Sequence, residues 1–434
     1  MNFCKKIFLS FVFIFICNIA EARIYIPVDQ PSDQKFPIAI CNLKGSNELA
    51  STIPDIIRND LDLSGYFNII PQSIFEGVAK NEGLELDSIK YDFWTAIETQ
   101  ALVKGQIETE GDHYVITLRL FDPYLQEMVV GKQYTFPKKN KKNNIREVAH
   151  RFSDDIMEAL TGIRGVFNTK IAYAAVTKKG KKEIFVMDMD GENNGSVTSL
   201  NSISISPAWS PDGGKLAFTS YIKNNPDLYV IDVSGKGLKQ IVGGSGSKIT
   251  PAWSPNGSTI AFSSSMGGSD NEIYSINASG GGKASKLTNA SGINIAPGFS
   301  PDGSEFVFSS ERAGNLHVFK MPAGGGGATR LTFVGYQNDM PDWSPIGDKI
   351  AFAGRDMGTF DIFIMNPDGS NIQRLTIGSG SNEHPSWSPD GRFIVFSSSR
   401  EGGPAIYLMR ADGSNQRKIS KGNGILPEWG PAVK

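Results

Sequence analysis

Catalytic residue types are scarce in this chain. Its 434 residues include three cysteines and four histidines. His113, His150, His317 and His384 never stand at His-x-x-x-His spacing, and His-Glu-x-x-His is absent, which excludes a helix-borne zinc hydrolase motif. No Gly-x-Ser-x-Gly elbow is present to raise a nucleophilic serine. Gly280-Gly281-Gly282-Lys283 and Gly324–Gly327 lack the Gly-Lys-[Ser/Thr] of a phosphate loop and read as hairpin turns. Asp188-Met189-Asp190-Gly191 and Asp368-Gly369 fall in the same kind of turn and lack the remaining ligands of a calcium loop. No cofactor is implied. An excess of positive charge is missing too: 43 basic residues face 45 acidic ones, so nothing calls for nucleic acid or an anionic membrane. The one basic run, Lys138-Lys139-Asn140-Lys141-Lys142, reads as a solvated loop.

Long apolar runs are absent except at the front. Lys5 and Lys6 precede Ile7–Ile16 and then Ala20-Glu21-Ala22. This predicts a signal peptide over residues 1–22, too short to span a membrane, cleaved after Ala22 or alternatively after Ala20. Bulky Ile16 before Cys17, and the later Ala-x-Ala, argue against lipidation. Cleavage removes Cys4 and Cys17, so an exported chain keeps Cys41 alone and has no internal disulfide. The remaining 412 residues are enough to bury a large core without one. Cys41, in an apolar strand-like stretch, reads as a small buried hydrophobe rather than a reactive thiol. Loss of Lys5, Lys6 and Glu21 leaves 41 basic and 44 acidic residues, a net charge of −3.

What the chain has in quantity is repetition. Pro207-Ala208-Trp209-Ser210-Pro211-Asp212-Gly213 recurs with small changes at 251–257, 297–303, 341–347 and 385–391, and truncated at 427–431. The aromatic stands at 209, 253, 299, 343, 387 and 429, at intervals of 44, 46, 44, 44 and 42. That is a propeller period. Ser-Pro-Asp-Gly suits a type I turn, with proline's φ preset at the second position. Strand-like runs follow each turn, such as Leu216-Ala217-Phe218 and Leu228-Tyr229-Val230, giving four strands per blade. Ile171–Tyr173 and Ile184–Val186 form a blade lacking a Trp strand, and Trp429 is a Trp strand lacking a blade. The C-terminal strand is therefore expected to close a six-bladed ring and remove its open edges. The repeated tryptophans read as packing.

Residues 35–164 carry another pattern. Glu48–Leu63 has helical apolar spacing ended by Gly65, a polar helical stretch is expected near Ser73–Asn81, strands are expected at 36–41, 66–70, 101–108, 114–121 and 133–136, and Asn143–Leu160 is an amphipathic helix. The expected architecture is multidomain: an N-terminal mixed α/β domain over 35–164, then an all-β six-bladed propeller over 165–434. Before both, residues 23–34 alternate briefly (Ile24, Ile26, Val28) and then turn polar, which reads as a flexible arm.

The residues before each motif proline enter the strand nearest the channel, and they differ between blades: Ser204-Ile205-Ser206, Lys248-Ile249-Thr250, Asn294-Ile295-Ala296, Asn338-Asp339-Met340, Asn382-Glu383-His384 and Ile425-Leu426. Scaffold needs sameness and recognition needs difference, so this ring is a candidate partner site.

Together, the signal peptide, the opening Arg23-Ile24-Tyr25-Ile26, the segments Leu61–Phe67 and Val103-Lys104-Gly105, and the six repeats resemble the TolB family of the bacterial Tol–Pal envelope system. The motif departs at Ile346, in place of aspartate, and at Gly430, in place of serine. The resemblance implies a non-enzymatic periplasmic adaptor serving outer-membrane integrity and cell division. It implies that the propeller face binds the lipoprotein Pal, that the arm binds TolA, and that colicin-like ligands are further partners. Carried onto this sequence, the Pal face maps to Ser247, Lys248, Thr250, Asn294, Ile295 and Ala296, with Glu383 and His384 as neighbours. The arm site maps to Arg23, Ile24, Tyr25, Ile26 and Val28. The alternative is a propeller hydrolase or lactonase with a channel metal held by Asn338, Asp339, Asn382, Glu383 and His384. A peptidase of the prolyl-oligopeptidase type needs a nucleophile elbow that this sequence does not carry.

Overall fold

The computed structural model describes residues 26, 35–45, 48–139, 141–177, 179–356 and 358–432. The signal peptide and most of the arm, including Arg23, Ile24, Tyr25 and Val28, lie outside the described residues.

The first unit is a five-stranded sheet in the order β2-β1-β3-β4-β5, formed by β1 (Phe36–Ile40), β2 (Phe67–Ile69), β3 (Ala101–Glu110), β4 (His113–Asp122) and β5 (Glu127–Pro137). β1 runs parallel to β2 and β3, and the rest is antiparallel. Alternation along β1 sorts its two faces. Ile38 and Ile40 join a core with α1 (Leu49–Ser64) and the long helix running Lys141–Thr161. Ala39 and Cys41 face α2 (Gln72–Ala79) and α3 (Tyr91–Ala96), which contribute Phe75 and Trp94. The long helix is α4. Burial pushes the Cys41 thiol up to about 12, so it stays protonated at neutral pH. α1 stops at Gly65, whose φ of 84° is the left-handed cap position glycine takes without cost.

β5 is longer than expected, and α3 is an element the sequence reading does not contain. Only Gln133–Phe136 of β5 shows a readable pattern, because Gly131 and Lys132 interrupt the alternation. Its register with β4 carries the pairing to Glu127.

Among the described residues, six four-stranded antiparallel sheets make the ring. We number the blades from the closing one. Blade 1 pairs the C-terminal strand Ile425–Trp429 with Lys170–Val176, placing Trp429 opposite Ile171. Blades 2 to 6 begin with inner strands Ser204–Trp209, Lys248–Trp253, Asn294–Phe299, Gln337–Trp343 and Asn382–Trp387. The tryptophans stitch blades together: Trp209 Nε1 donates to Glu428 O, Trp253 Nε1 to Ala208 O, and Trp387 Nε1 to Asp342 O, at 3.1–3.2 Å. In the turns, Ser210 Oγ donates to Asp212 Oδ1 at 2.5 Å and accepts Lys215 N at 2.9 Å. Blade 5 has Ile346 in place of the aspartate, and there Ser344 Oγ is buried without a partner.

The α/β unit sits over blades 6 and 1, at the end of the ring that carries the Ser-Pro turns. Arg410 donates to Leu63 O and Asp62 O at 3.0 Å, and Arg392 lies 5.2 Å from the Tyr66 ring centroid. An apolar core runs across the joint, from Ile57 and Phe152 to Met189 and Phe393. Asp154 on α4 accepts Phe167 N at 2.8 Å and Asn168 N at 3.3 Å, fixing the connection. Burial pushes its carboxyl up to about 7 against the pull of those two N–H groups. No helix among the described residues is long and apolar enough to cross a membrane.

Candidate functional site

The end of the ring away from the α/β unit is where the inner strands begin. Each inner strand breaks register with its neighbour halfway along, for example between Ile249 and Ala252. The residue at that break is the one before each motif proline. Ser206, Thr250, Ala296, Met340, His384 and Leu426 all have φ between 48° and 56°. Six non-glycine residues in the left-handed region carry strain of about 1 kcal/mol or more each. The bulge turns their N–H groups toward the neighbouring blade: Ala296 N donates to Ser263 Oγ at 3.2 Å and Met340 N to Ser309 Oγ at 3.1 Å. All six line a channel cavity of about 440 Å³.

The candidate residues separate into two sets. Thr250, Ala296 and His384 line the channel, with Thr250 Oγ1 2.8 Å from Ser263 Oγ and His384 Nδ1 3.2 Å from Ser397 Oγ. Ser247, Ile295 and Glu383 are half-buried; Ser247 Oγ donates to Asn271 Oδ1 at 2.9 Å, and Glu383 accepts Ser381 Oγ at 2.6 Å. Lys248 and Asn294 are placed differently from the expectation. Both are fully buried, so neither offers a side chain to a partner. Lys248 Nζ pairs with Asp227 at 3.1 Å and donates to Gly244 O and Gly246 O, because a buried ammonium needs all its protons satisfied. Asn294 bridges Glu272, Ser310 and Arg312. These two residues shape the loops beneath the face.

Burial holds His384 below the ordinary histidine range, against the opposing pull of Glu383 and Asp339, so the ring is neutral at pH 7. Among the described residues, Asp339, Glu383 and His384 do not gather into a metal-holding group. The amide oxygen of Asn382, the atom that would ligate a metal, already accepts Arg400 Nη2 at 2.9 Å. The ligand set of the hydrolase alternative is therefore not assembled.

Sequence reading missed two channel residues. Asp342 and Glu428 occupy the variable position of Pro-x-Trp and line the same cavity. Down that position run Ala208, Ala252, Gly298, Asp342, Ser386 and Glu428, so one half of the ring is small and apolar and the other is polar. Asp342 Oδ2 accepts Trp387 N at 2.8 Å. Burial raises both carboxyls, and the Asp342 charge raises Glu428 further. A column reading of the repeat contains this signal.

Of the arm, only Ile26 is described. Its side chain is buried in the core around α4, and its N–H donates to Leu160 O at 2.8 Å.

Comparison with known proteins fits both units. Residues 157–433 match the family model described as the TolB beta propeller domain, and residues 24–129 match the TolB amino-terminal domain. A Tol-Pal system protein TolB of Desulfosudis oleivorans is 37% identical over 209 residues, 47% of each chain. One of Syntrophus aciditrophicus is 35% identical over 224 residues, 49% of this chain and 48% of that one. These matches span about half the length of the curated relatives. The crystal structure of TolB from Acinetobacter baumannii superposes with a TM-score of 0.80 at 30% identity, covering 92% of this chain and 98% of that one.

Proposed function

The chain belongs to the TolB family, and from that premise we propose that it is a non-enzymatic periplasmic adaptor of the Tol–Pal system. The propeller's open face binds the lipoprotein Pal, with Thr250, Ile295 and Ala296 central and Ser247, Glu383 and His384 beside them. Residues 23–34 bind TolA. Joining an outer-membrane lipoprotein to an inner-membrane protein supports envelope integrity and division.

The observation that carries this reading is the contrast within one repeat. Tryptophans and Ser-Pro turns recur because they stitch and turn each blade, whereas the six bulge residues share a backbone conformation and differ in side chain. A strained, rigid backbone presenting varied side chains around a cavity is a preorganised recognition surface. The α/β unit leaves this end of the ring open. Calorimetric titration of the mature protein with the soluble domains of Pal and TolA tests the proposal. Saturable binding of each is expected, and absence of Pal binding would refute it.

A further inference from the structure

We propose that the loop 333–336, on the rim of the open face, anchors the partner protein there and fits a surface with an apolar socket edged by carboxylates. The inference rests on the adaptor reading above. Six crossings lead from the outer strand of one blade to the inner strand of the next, and all six emerge at the open end. Five consist mostly of glycine, serine and asparagine and contain no aromatic, as in Gly243-Gly244-Ser245-Gly246-Ser247 and Lys421-Gly422-Asn423-Gly424. The crossing into blade 5 reads Phe333-Val334-Gly335-Tyr336. Phe333 and Val334 are 71% and 75% exposed, and Tyr336 is exposed too.

The loop is also held in place. Val334 O accepts Asn338 Nδ2 at 2.8 Å, and Tyr336 N donates to Arg355 O at 2.8 Å. Asn338 is itself buried, with Nδ2 3.1 Å from His317 Nδ1. Gly335 joins the two fixed points at a φ of 91°, where a side chain would be strained. Large apolar side chains are thus presented to water on a backbone that has little freedom left to lose. A partner closing on such a loop meets a small ordering cost, which suits it to anchor an interface.

Two guanidinium groups set the chemistry of that partner. Arg330 lies 5.0 Å from the Phe333 ring centroid, and Arg355 lies 5.9 Å from that of Tyr336. Their hydrogen bonds go to uncharged acceptors: Arg330 Nε donates to Thr332 O at 2.6 Å and Arg355 Nη2 to Gln337 Oε1 at 2.8 Å. Arg355 Nε is buried without a partner. Asp356 stands beside Gly335 but pairs with neither guanidinium among the described residues. Aromatic rings flanked by cations call for an apolar socket edged by carboxylates. The loop continues directly into the inner strand Gln337–Trp343, whose Met340 lines the channel. A protein that enters the channel mouth reaches the loop in the same approach, whereas a flat bilayer would meet the rim alone.

The test is calorimetric titration of the mature protein with the soluble domain of Pal at two salt concentrations. Phe333→Ser combined with Val334→Ser should weaken binding at least about thirtyfold, and Arg330→Glu about tenfold with a smaller salt dependence. Phe333 and Val334 are largely exposed, so the double variant should melt like wild type. Ile372→Ser makes a similar change at the Ser-Pro end of the ring, between Asp361–Met365 and Gln373–Arg374, and should leave Pal binding unchanged. Wild-type affinity in the double variant, or an equal loss in Ile372→Ser, overturns the inference and leaves the adaptor reading standing. Absence of Pal binding by the wild type overturns both. Two other occupants are checked with the same double variant. If it keeps Pal binding but loses wild-type sedimentation with phosphatidylethanolamine–phosphatidylglycerol vesicles, or loses wild-type self-association in the ultracentrifuge, the loop serves a bilayer or a second copy and the inference is overturned.

Discussion

Trp429 Nε1 donates to Thr169 Oγ1 at 2.8 Å, joining residues 260 positions apart. The bond fastens the last strand to the start of the propeller chain, and Trp429 is buried against Phe393, with ring centroids 6.1 Å apart. A chain ending at residue 424 loses this tryptophan and the inner strand of blade 1. The loss is expected to cost at least about 3–5 kcal/mol from the buried aromatic alone. Differential scanning calorimetry checks it, and an unchanged melting temperature would mean that the ring does not depend on this strand.

Ile346 predicts a gain. Restoring aspartate gives Ser344 Oγ the acceptor that its counterparts have at Asp212, Asp302 and Asp390. Ile346 is also largely exposed, so little apolar burial is lost. Ile346→Asp should stabilise the protein by about 1 kcal/mol, read from chemical denaturation. A destabilised variant would show that losing the buried part of Ile346 outweighs the regained hydrogen bond.

Thr250 tests the open face. Thr250→Arg places a long cation at a channel-lining bulge, where a packed partner must desolvate it or leave it unpaired. Pal binding should weaken by roughly 2–4 kcal/mol, with the melt close to wild type. Unaltered Pal affinity by calorimetry would move the interface off the channel.

The arm predicts both separation and coupling. Deleting residues 23–33 should abolish TolA binding and spare Pal binding. Ile26 is seated in the core and bonded to Leu160, so TolA must draw it out before using that residue. If Pal binding biases the seated state, Pal and TolA change each other's affinity by the same factor. TolA titrations with and without saturating Pal measure it; equal affinities would leave two independent sites.

Asp342 and Glu428 predict the pH dependence. Both carboxyls titrate above their unfolded values near 4, so the folded state holds protons that the unfolded state releases. Their stabilising contribution is complete below about pH 4 and is lost as pH rises through the folded values. Glu428→Gln should flatten this decline and raise the melting temperature at pH 8 relative to wild type. A decline of the same size in the variant would place its source elsewhere.

The six blades and their closure are legible because the Ser-Pro turn and the Trp strand are local devices repeated at a fixed interval. The α/β unit is legible where apolar spacing is strong, as at Ile53, Ile57 and Leu61, and illegible where pairing overrides a weak pattern, as along β5. The binding face is legible in outline only. Lys248 and Ser247 are neighbours in sequence, yet one is spent on Asp227 and the other faces the surface, and strand period alone does not say which loop will wrap an ammonium. His150 meets Asp190 only through packing of two units, so no spacing could announce it.

The pairing of Ile425–Trp429 with Lys170–Val176 also sets an order of events. A chain made from its amino end completes five blades while blade 1 still exposes the unpaired edge of Lys170–Val176. That edge is open to any strand until Ile425–Trp429 arrives. The strand Ile425–Trp429 therefore commits the whole ring, and fidelity of assembly rests on how quickly it returns to a strand made some 250 residues earlier.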